Sequence, residues 1–212
     1  MPFVKSVSNS QDQIIQSIIN LHAPNGIDLD PTYSKGNFYK NKIEAPALKF
    51  DISPIGDDVK RASATNLPIE SNTIGCIMFD PPFLATKGPS LAVDNESNAI
   101  LKRFGVFETE QKLHCFYVDA LRELYRVCKP GGVLIFKCQD KVSSGKQYFS
   151  HCFIHEKAVE TGWYPRDLFV LTAKSRMMPK WQTVNQQHAR KFHSYFWVFQ
   201  KKNSVIKYTG SE

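Results

Sequence analysis

The longest uninterrupted apolar stretch with no charge in the first half of the chain is Ile74-Gly75-Cys76-Ile77-Met78-Phe79. Such a run reads as a strand buried on both faces, as in a parallel sheet. Earlier, Ser10-Gln11-Asp12-Gln13 has the form of a capping box, and Ile14, Ile15, Ile18 and Ile19 behind it fall on one helical stripe, which predicts a short amphipathic helix. Brief strands are expected from Gly26 to Asp30 and from Ala47 to Asp51. From Thr109 to Cys128, Leu113, Phe116, Tyr117, Ala120, Leu121, Leu124 and Val127 recur at three- and four-residue steps, the spacing of a helix. Lys129-Pro130-Gly131-Gly132 ends it, and Val133 to Cys138 is the next strand. A helix over Lys146 to Gly162 and strands over Leu168 to Leu171 and Tyr195 to Phe199 complete the pattern. Ile52 to Thr73 is too short for two full crossover helices, so one crossover on that side should be shrunken or irregular.

Composition narrows the class without deciding it. With 212 residues, 42% of them apolar and 22% charged, the chain suits one globular domain, with a helical segment over about 1–24 and a flexible tail over about 203–212. The formal charge of +7 leans towards a polyanionic partner. Cys76, Cys115, Cys128, Cys138 and Cys152 contain no Cys-x-x-Cys pair, and four of the five sit in apolar patterns, so reduced core thiols are expected and not metal ligands or disulfides. His188 and His193 stand five apart with no acid or cysteine beside them in sequence, and read as hydrogen-bonding side chains. Neither a signal peptide nor an apolar run of membrane length is present, which predicts an intracellular, cytoplasmic protein.

The candidate chemistry begins where the strand at 74–79 stops. Asp80-Pro81-Pro82-Phe83 follows it, and neither proline can donate to a sheet ladder, so the backbone leaves the sheet here. A carboxylate, a free proline carbonyl and an aromatic ring then stand together at the carboxyl end of a central strand, where open α/β sheets bind ligands. The loop Pro31-Thr32-Tyr33-Ser34-Lys35-Gly36-Asn37-Phe38-Tyr39 leaves the first strand, and its small residues and glycine suit close approach of backbone to ligand. Asp51 lies 21 residues after Asp30, the spacing at which an acid on a second strand tip accepts both ribose hydroxyls of a bound nucleotide. Leu84 to Glu108 is long, polar and suited to a binding loop. Between the last two strands, Lys174 to Lys191 carries Lys174, Arg176, Lys180, Arg190 and Lys191 with no acid, and Trp181 among them. That combination fits phosphate contact with base stacking, the alternative being a solvated hairpin.

Asp80-Pro81-Pro82-Phe83 resembles the catalytic tetrad of class I amino-methyltransferases, which use S-adenosylmethionine to methylate the exocyclic amine of a nucleobase. Beside the cofactor loop of that family (Asp-Pro-x-x-Gly-x-Gly), Asp30, Pro31 and Gly36 match in register, and Ser34 stands where a glycine is usual. The helix, Lys-Pro-Gly-Gly turn and strand after residue 109 are similar to the matching unit of the same enzymes. The resemblance runs from about Gly26 to Lys201 and is to the small orphan DNA methyltransferases of bacteria and their phages. It implies a Rossmann-like α/β fold, with a mostly parallel seven-strand sheet whose last strand is antiparallel and no separate target-recognition domain. It also implies an S-adenosyl-L-methionine site built from Asp30, Pro31, Thr32, Tyr33, Gly36, Phe38, Asp51, Asn66 and Leu67. Asp30 would take the methionine ammonium, and Asn66 would stand where relatives often carry an acid against the adenine amine. Asp80 and the Pro81 carbonyl would accept the two hydrogens of the target amine, with Pro82 and Phe83 completing the site and Phe83 stacking on a base flipped from its helix. DNA is the implied partner and adenine N6 the implied target, with no metal and no membrane. An RNA enzyme acting on adenine N6 or guanine N2 shares the tetrad, and a catalytically silent nucleic-acid-binding module is the reading from another class.

Overall fold

In the computed structural model, which describes residues 3–83, 85, 107–174 and 186–204, the uncharged run Ile74–Phe79 is strand β5. Among the described residues, ten strands and three α-helices follow in chain order: β1 Val7–Ser8, α1 Gln11–His22, β2 Leu29–Asp30, β3 Leu48–Asp51, β4 Lys60–Arg61, β5, α2 Glu110–Val127, β6 Cys128–Cys138, β7 Lys141–Ser143, β8 Lys146–Tyr148, α3 Ser150–Thr161, β9 Trp163–Thr172 and β10 His193–Lys201. Eight of the strands form one sheet in the order β1-β9-β10-β6-β5-β2-β3-β4, and β7 and β8 form a separate hairpin. Strand β5 is central, pairing in parallel with β2 (Leu29 opposite Ile77) and with β6 (Ile77 opposite Leu134, Phe79 opposite Phe136). The last strand, β10, runs antiparallel to both β6 and β9. The sheet is therefore the expected mostly parallel one, with the two-residue strand β1 added in parallel at the β9 edge.

Strand alternation divides the core between two faces. Cys76 and Met78 point to the side covered by α1, where Ile14, Ile15 and Ile18 meet Ile135, Phe196 and Val198. Ile77 and Phe79 point to the other side, against Leu113, Tyr117, Leu121 and Leu124 of α2 and Ile154 and Ala158 of α3. The Ser10 hydroxyl, the cap signalled by its capping box, accepts from the Gln13 N–H at 3.3 Å, and the Thr109 hydroxyl caps α2 by accepting from the Lys112 N–H at 3.1 Å.

The structure differs from the sequence expectation at several points. β6 already begins at Cys128, so Lys129-Pro130-Gly131-Gly132, expected as a turn before a strand at Val133, lies within the strand, and β9 begins at Trp163 and not at Leu168. The helix expected from Lys146 starts at Ser150, because Lys146–Tyr148 pairs antiparallel with Lys141–Ser143 across a turn whose Ser144 and Gly145 both have positive φ. Residues 52–73 are all described and contain no helix, so the crossovers on both sides of β4 are irregular, not one of them. Of the cysteines, Cys76, Cys128 and Cys138 are buried, and Cys115 and Cys152 are exposed. Among the described residues no helix is long and apolar enough to cross a membrane. The Leu84–Glu108 binding loop falls almost wholly outside the described residues, as do Arg176, Lys180, Trp181 and the tail beyond residue 204.

A crossover without a helix must be fixed some other way, and here α2 supplies the anchor. Arg126 donates to the Ile69 carbonyl at 2.9 Å, the Leu67 carbonyl at 3.2 Å and the Ser71 hydroxyl at 3.1 Å. Its neighbour Glu123 accepts from the Leu67 N–H at 2.7 Å while paired with Arg126 itself at 2.7 Å. Arg126→Ala should lower the unfolding free energy by about 1–2 kcal/mol, the range for charged hydrogen bonds discounted for partial exposure. Arg126→Lys should recover little of it, because an ammonium cannot reproduce the planar fork. Urea denaturation reads this, and a midpoint equal to the parent's in either variant would contradict the anchoring role.

Candidate active site

Of three neighbouring parallel strands, β3 and β2 end on Asp51 and Asp30, and β5 ends on Phe79 with Asp80 directly after it. Sheet geometry alone thus gathers the three predicted carboxylates along one rim, at the carboxyl ends of the strands.

Asp30 is fully buried. Its carboxylate accepts from the Thr32 N–H at 2.9 Å, the Thr32 hydroxyl at 3.3 Å and the Tyr39 hydroxyl at 2.8 Å. Burial nonetheless dominates and pushes its pKa up to about 7, with the nearby Asp80 carboxyl adding to the rise. The loop after it folds back on β3. The Tyr33 N–H donates to the Phe50 carbonyl, and the Ser34 N–H to the Asp51 carboxylate at 2.9 Å, whose other oxygen accepts from the Ser53 N–H at 2.8 Å. Gly36 has φ +61°, a conformation that favours glycine, and a Cβ there would lie 2.6 Å from the Tyr33 hydroxyl and push that ring aside. Ser34, in the place where a glycine is usual, has φ +50°. The loop therefore keeps the left-handed turn that a glycine would favour and holds a serine in it. Tyr33 stacks on Tyr39 with centroids 5.4 Å apart and planes 9° from parallel, which walls one side of the loop.

Asp80 is joined to this loop through Thr32, whose hydroxyl accepts from the Asp80 N–H at 3.0 Å. One Asp80 oxygen meets the Lys137 ammonium at 3.4 Å, and Oδ1 is buried with no hydrogen-bond partner among the described residues. Burial raises the Asp80 pKa, and Lys137 opposes the rise. The prolines do what the sequence suggests, and the next two carbonyls are pinned from outside. Tyr117 of α2 donates to the Pro82 carbonyl at 2.7 Å, and Lys141, ion-paired with Glu110 at 2.7 Å, donates to that of Phe83. The Pro81 carbonyl takes no donor among the described residues. Asp80 and Phe83 border an open cavity of about 200 Å³ that is also lined by Lys137 and Gln139 at the β6 end, Ala173 after β9, and His193 of β10.

Other predicted residues fall less centrally. Phe38 is buried, with the Lys137 ammonium 4.9 Å from its ring centre, and Pro31 is buried as well. The Leu67 side chain is in the core and its N–H is committed to Glu123, so Leu67 positions the segment from within. Asn66 bridges back to Ser63, its N–H donating to the Ser63 carbonyl at 3.0 Å. Ser63 is closer to the carboxyl end of β4 than Asn66 is, and sequence reading passed it over. Lys137 was missed as well, although a lysine inside the apolar run Val133 to Cys138 was its signal. Arg190 and Lys191 lie just before β10, at the same end of the sheet as Asp80, and the Lys191 ammonium donates to the Ala189 carbonyl at 3.3 Å.

No protein-family model matches the chain, and no curated protein does. Solved structures do. A SAM-dependent methyltransferase from Thermotoga maritima superposes with a TM-score of 0.53 at 15% identity, over 91% of this chain and 88% of that one. A protein of Galdieria sulphuraria described as a sarcosine dimethylglycine methyltransferase superposes at 0.55 with 13% identity, over 92% and 86%. The chain has the class I methyltransferase fold. A Thermus thermophilus protein described as a DNA modification methylase, in complex with S-adenosyl-L-methionine, also matches, at 0.44 with 13% identity over 67% of this chain; the chain spans about half (51%) of its length.

Within this methyltransferase fold the buried Asp30 gives a direct test. Its pKa is higher folded (about 7) than the ordinary 3.8, so the native state holds the proton longer and this carboxyl subtracts stability as pH rises through that window. Asp30→Asn removes the term and leaves the other groups in place. The parent's stability should therefore fall relative to the variant between about pH 4 and pH 8, by an amount on the order of 2–4 kcal/mol. Chemical denaturation at the two pH values measures it, and parallel pH profiles would contradict the burial of this group.

Proposed function

We propose that the chain is an S-adenosyl-L-methionine-dependent methyltransferase acting on the exocyclic amine of a nucleobase, with adenine N6 in DNA as the target. The observation that carries the reading is Asp80: a carboxylate whose buried Oδ1 has no partner among the described residues, next in sequence to the Pro81 carbonyl, which takes no donor among them, on the wall of a small cavity that Phe83 also borders. The ring delocalises an exocyclic amine's lone pair and makes it a poor nucleophile. Two acceptors directed at its two hydrogens draw the nitrogen towards a tetrahedral shape and free the pair. Asp80 and the Pro81 carbonyl are assigned that work, and Phe83 the face of the base.

The residues of the neighbouring loop fit the cofactor on chemical grounds. Asp30 is a buried carboxyl that meets no cation among the described residues, which suits an ammonium. Asp51, pinned by two backbone N–H groups, keeps lone pairs for a ribose diol. Gly36 and the left-handed Ser34 give a backbone that a carboxylate can approach. When bound there, the cofactor would supply an electrophilic methyl group on sulfur. Pro31, Thr32, Tyr33, Phe38, Asn66 and Leu67 are assigned to shaping that site. Arg176, Lys180, Trp181, Arg190 and Lys191 are assigned to the nucleic acid, on their charge and aromatic content.

The two assignments separate in experiment. Asp80→Ala should abolish methyl transfer while calorimetry finds cofactor affinity within about tenfold of the parent. Asp51→Ala should instead weaken cofactor binding by roughly 1.5–3 kcal/mol, the range for hydrogen bonds to a charged group. Activity in the Asp80 variant equal to the parent's would end the catalytic assignment, and an unchanged dissociation constant in a folded Asp51 variant would end the ribose assignment. For the nucleic-acid surface, neutralising two of Arg176, Lys180, Arg190 and Lys191 should make the slope of log affinity against log salt shallower by about 1.8. An unaltered slope would remove those residues from the interface.

A further inference from the structure

The start of α3 brings a thiol, an imidazole and a carboxylate into line, and the methyl-transfer reading uses none of them. Asp140 stands two residues past the end of β6 and is only 3% exposed. Its Oδ1 accepts from the backbone N–H of His151 at 3.2 Å and lies 2.8 Å from Nδ1 of the same residue's ring. On the far side of that ring, Nε2 is 3.3 Å from Sγ of Cys152. The ring is also held across its face, stacked on Tyr195 with centroids 4.2 Å apart and planes 19° from parallel. The Tyr195 hydroxyl is in turn 3.4 Å from Oδ2 of Asp140.

These contacts assign the protons. A carboxylate oxygen can only accept, so Nδ1 of His151 carries a hydrogen and donates it to Asp140. In the neutral ring the lone pair is then on Nε2, and the Cys152 thiol is the donor within its reach. Nucleophile, base and orienting acid stand in the order that activates a thiol. Cys152 is exposed and lies in the first turn of α3, a helix of 12 residues whose N-terminal partial positive charge favours a thiolate. The other four cysteines lack this setting. Cys76, Cys128 and Cys138 are buried, and burial pushes all three thiols up, Cys128 to about 12. Cys115 is as exposed to reagents as Cys152 but has no imidazole in hydrogen-bond reach among the described residues.

We propose that Cys152 is a site of reversible thiol modification by small-molecule disulfides, with His151 as its base and Asp140 as the group that orients the base. The Cys152 sulfur attacks one sulfur of the disulfide. A new S–S bond forms, the old one breaks, and the leaving sulfur keeps its electron pair. The thiol proton passes to Nε2 of His151 and from there to the departing thiolate, so the disulfide is the only oxidant consumed. The backbone at the helix start favours this class of reactant over an acyl or peptide substrate. Its N–H groups that could hold an oxyanion are already committed, that of His151 to Asp140 and those of Cys152 and Phe153 to the Phe149 carbonyl. Exchange between sulfurs develops no oxyanion and needs none of them.

The test exposes the full chain, reduced and then freed of reductant, to glutathione disulfide at pH 7. Peptide mass spectrometry follows the mixed disulfide at each cysteine over time. A free thiol is only a few per cent thiolate at that pH, which limits the gain from full activation to about 30-fold. Cys152 should therefore react about tenfold faster than Cys115, and dithiothreitol should reverse the adduct. His151→Phe keeps a ring against Tyr195 and removes the base, so it should bring the Cys152 rate down to that of Cys115. Asp140→Asn should lower the rate as well, with Cys76, Cys128 and Cys138 still unmodified as the sign that the chain is folded. Equal rates at Cys152 and Cys115 in the parent chain would overturn the proposal before any variant is made. A Cys152 rate that stays at the parental value in His151→Phe would overturn it too.

Discussion

The hydroxyl of Thr32 is the joint on which the candidate site depends. It donates to the Asp30 carboxylate and accepts from the Asp80 N–H, so one side chain ties the loop after β2 to the turn after β5. Two buried carboxylates on adjacent strands repel each other and resist ionisation, and the raised pKa of each reflects burial first. The fold tolerates them because donors surround one, Thr32 and Tyr39 at Asp30, and a cation meets the other, Lys137 at Asp80. An apolar residue in place of Thr32 would strip a donor from Asp30 and an acceptor from the Asp80 backbone at once. The prediction for Asp30 follows from the same balance: the burial that raises its pKa makes its charge costly to the free protein at high pH.

The far side of the tetrad is held by packing elements that carry no chemistry of their own. Helix α2 packs Tyr117 against Phe136 and sends its hydroxyl to the Pro82 carbonyl. Glu110 at the head of the same helix pairs with Lys141, which reaches Phe83. At its other end, Glu123 and Arg126 fasten the helix-less crossover before β5. One amphipathic helix therefore sets the backbone on both flanks of the central strand, and its apolar stripe is what fixes its position.

Some of this was legible in the sequence because a single physical cause left a single mark. An uncharged run bounded by an acid and two prolines gave β5 and its end to the residue, and Ser10 and Thr109 marked two helix starts. Gly36 was readable for the same reason, since its left-handed backbone favours glycine. The shortage of residues between Asp51 and Ile74 predicted one irregular crossover, and the structure has two, because the Arg126 network replaces the packing a helix would have given. Other features left no mark. β1 is two residues long and exists through its pairing with Val170 and Leu171. β9 begins at Trp163, five residues earlier than its apolar core suggests, since Tyr164, Pro165, Arg166 and Asp167 hide the alternation. The partnership of His193 with Asp140 spans 53 residues and passes through Tyr195, so no local spacing could announce it.

Nucleoside mass spectrometry tests the central claim most directly. The purified chain would be incubated with S-adenosylmethionine bearing a deuterated methyl group and, separately, with unmethylated DNA and with RNA, and the products digested to nucleosides. The account predicts a labelled methyl group on an exocyclic nitrogen, as N6-methyldeoxyadenosine from DNA, and none with Asp80→Ala. Label on RNA alone would move the substrate and keep the chemistry. Label on a ring carbon or on ribose, or no label from a chain that binds the cofactor, would contradict the account.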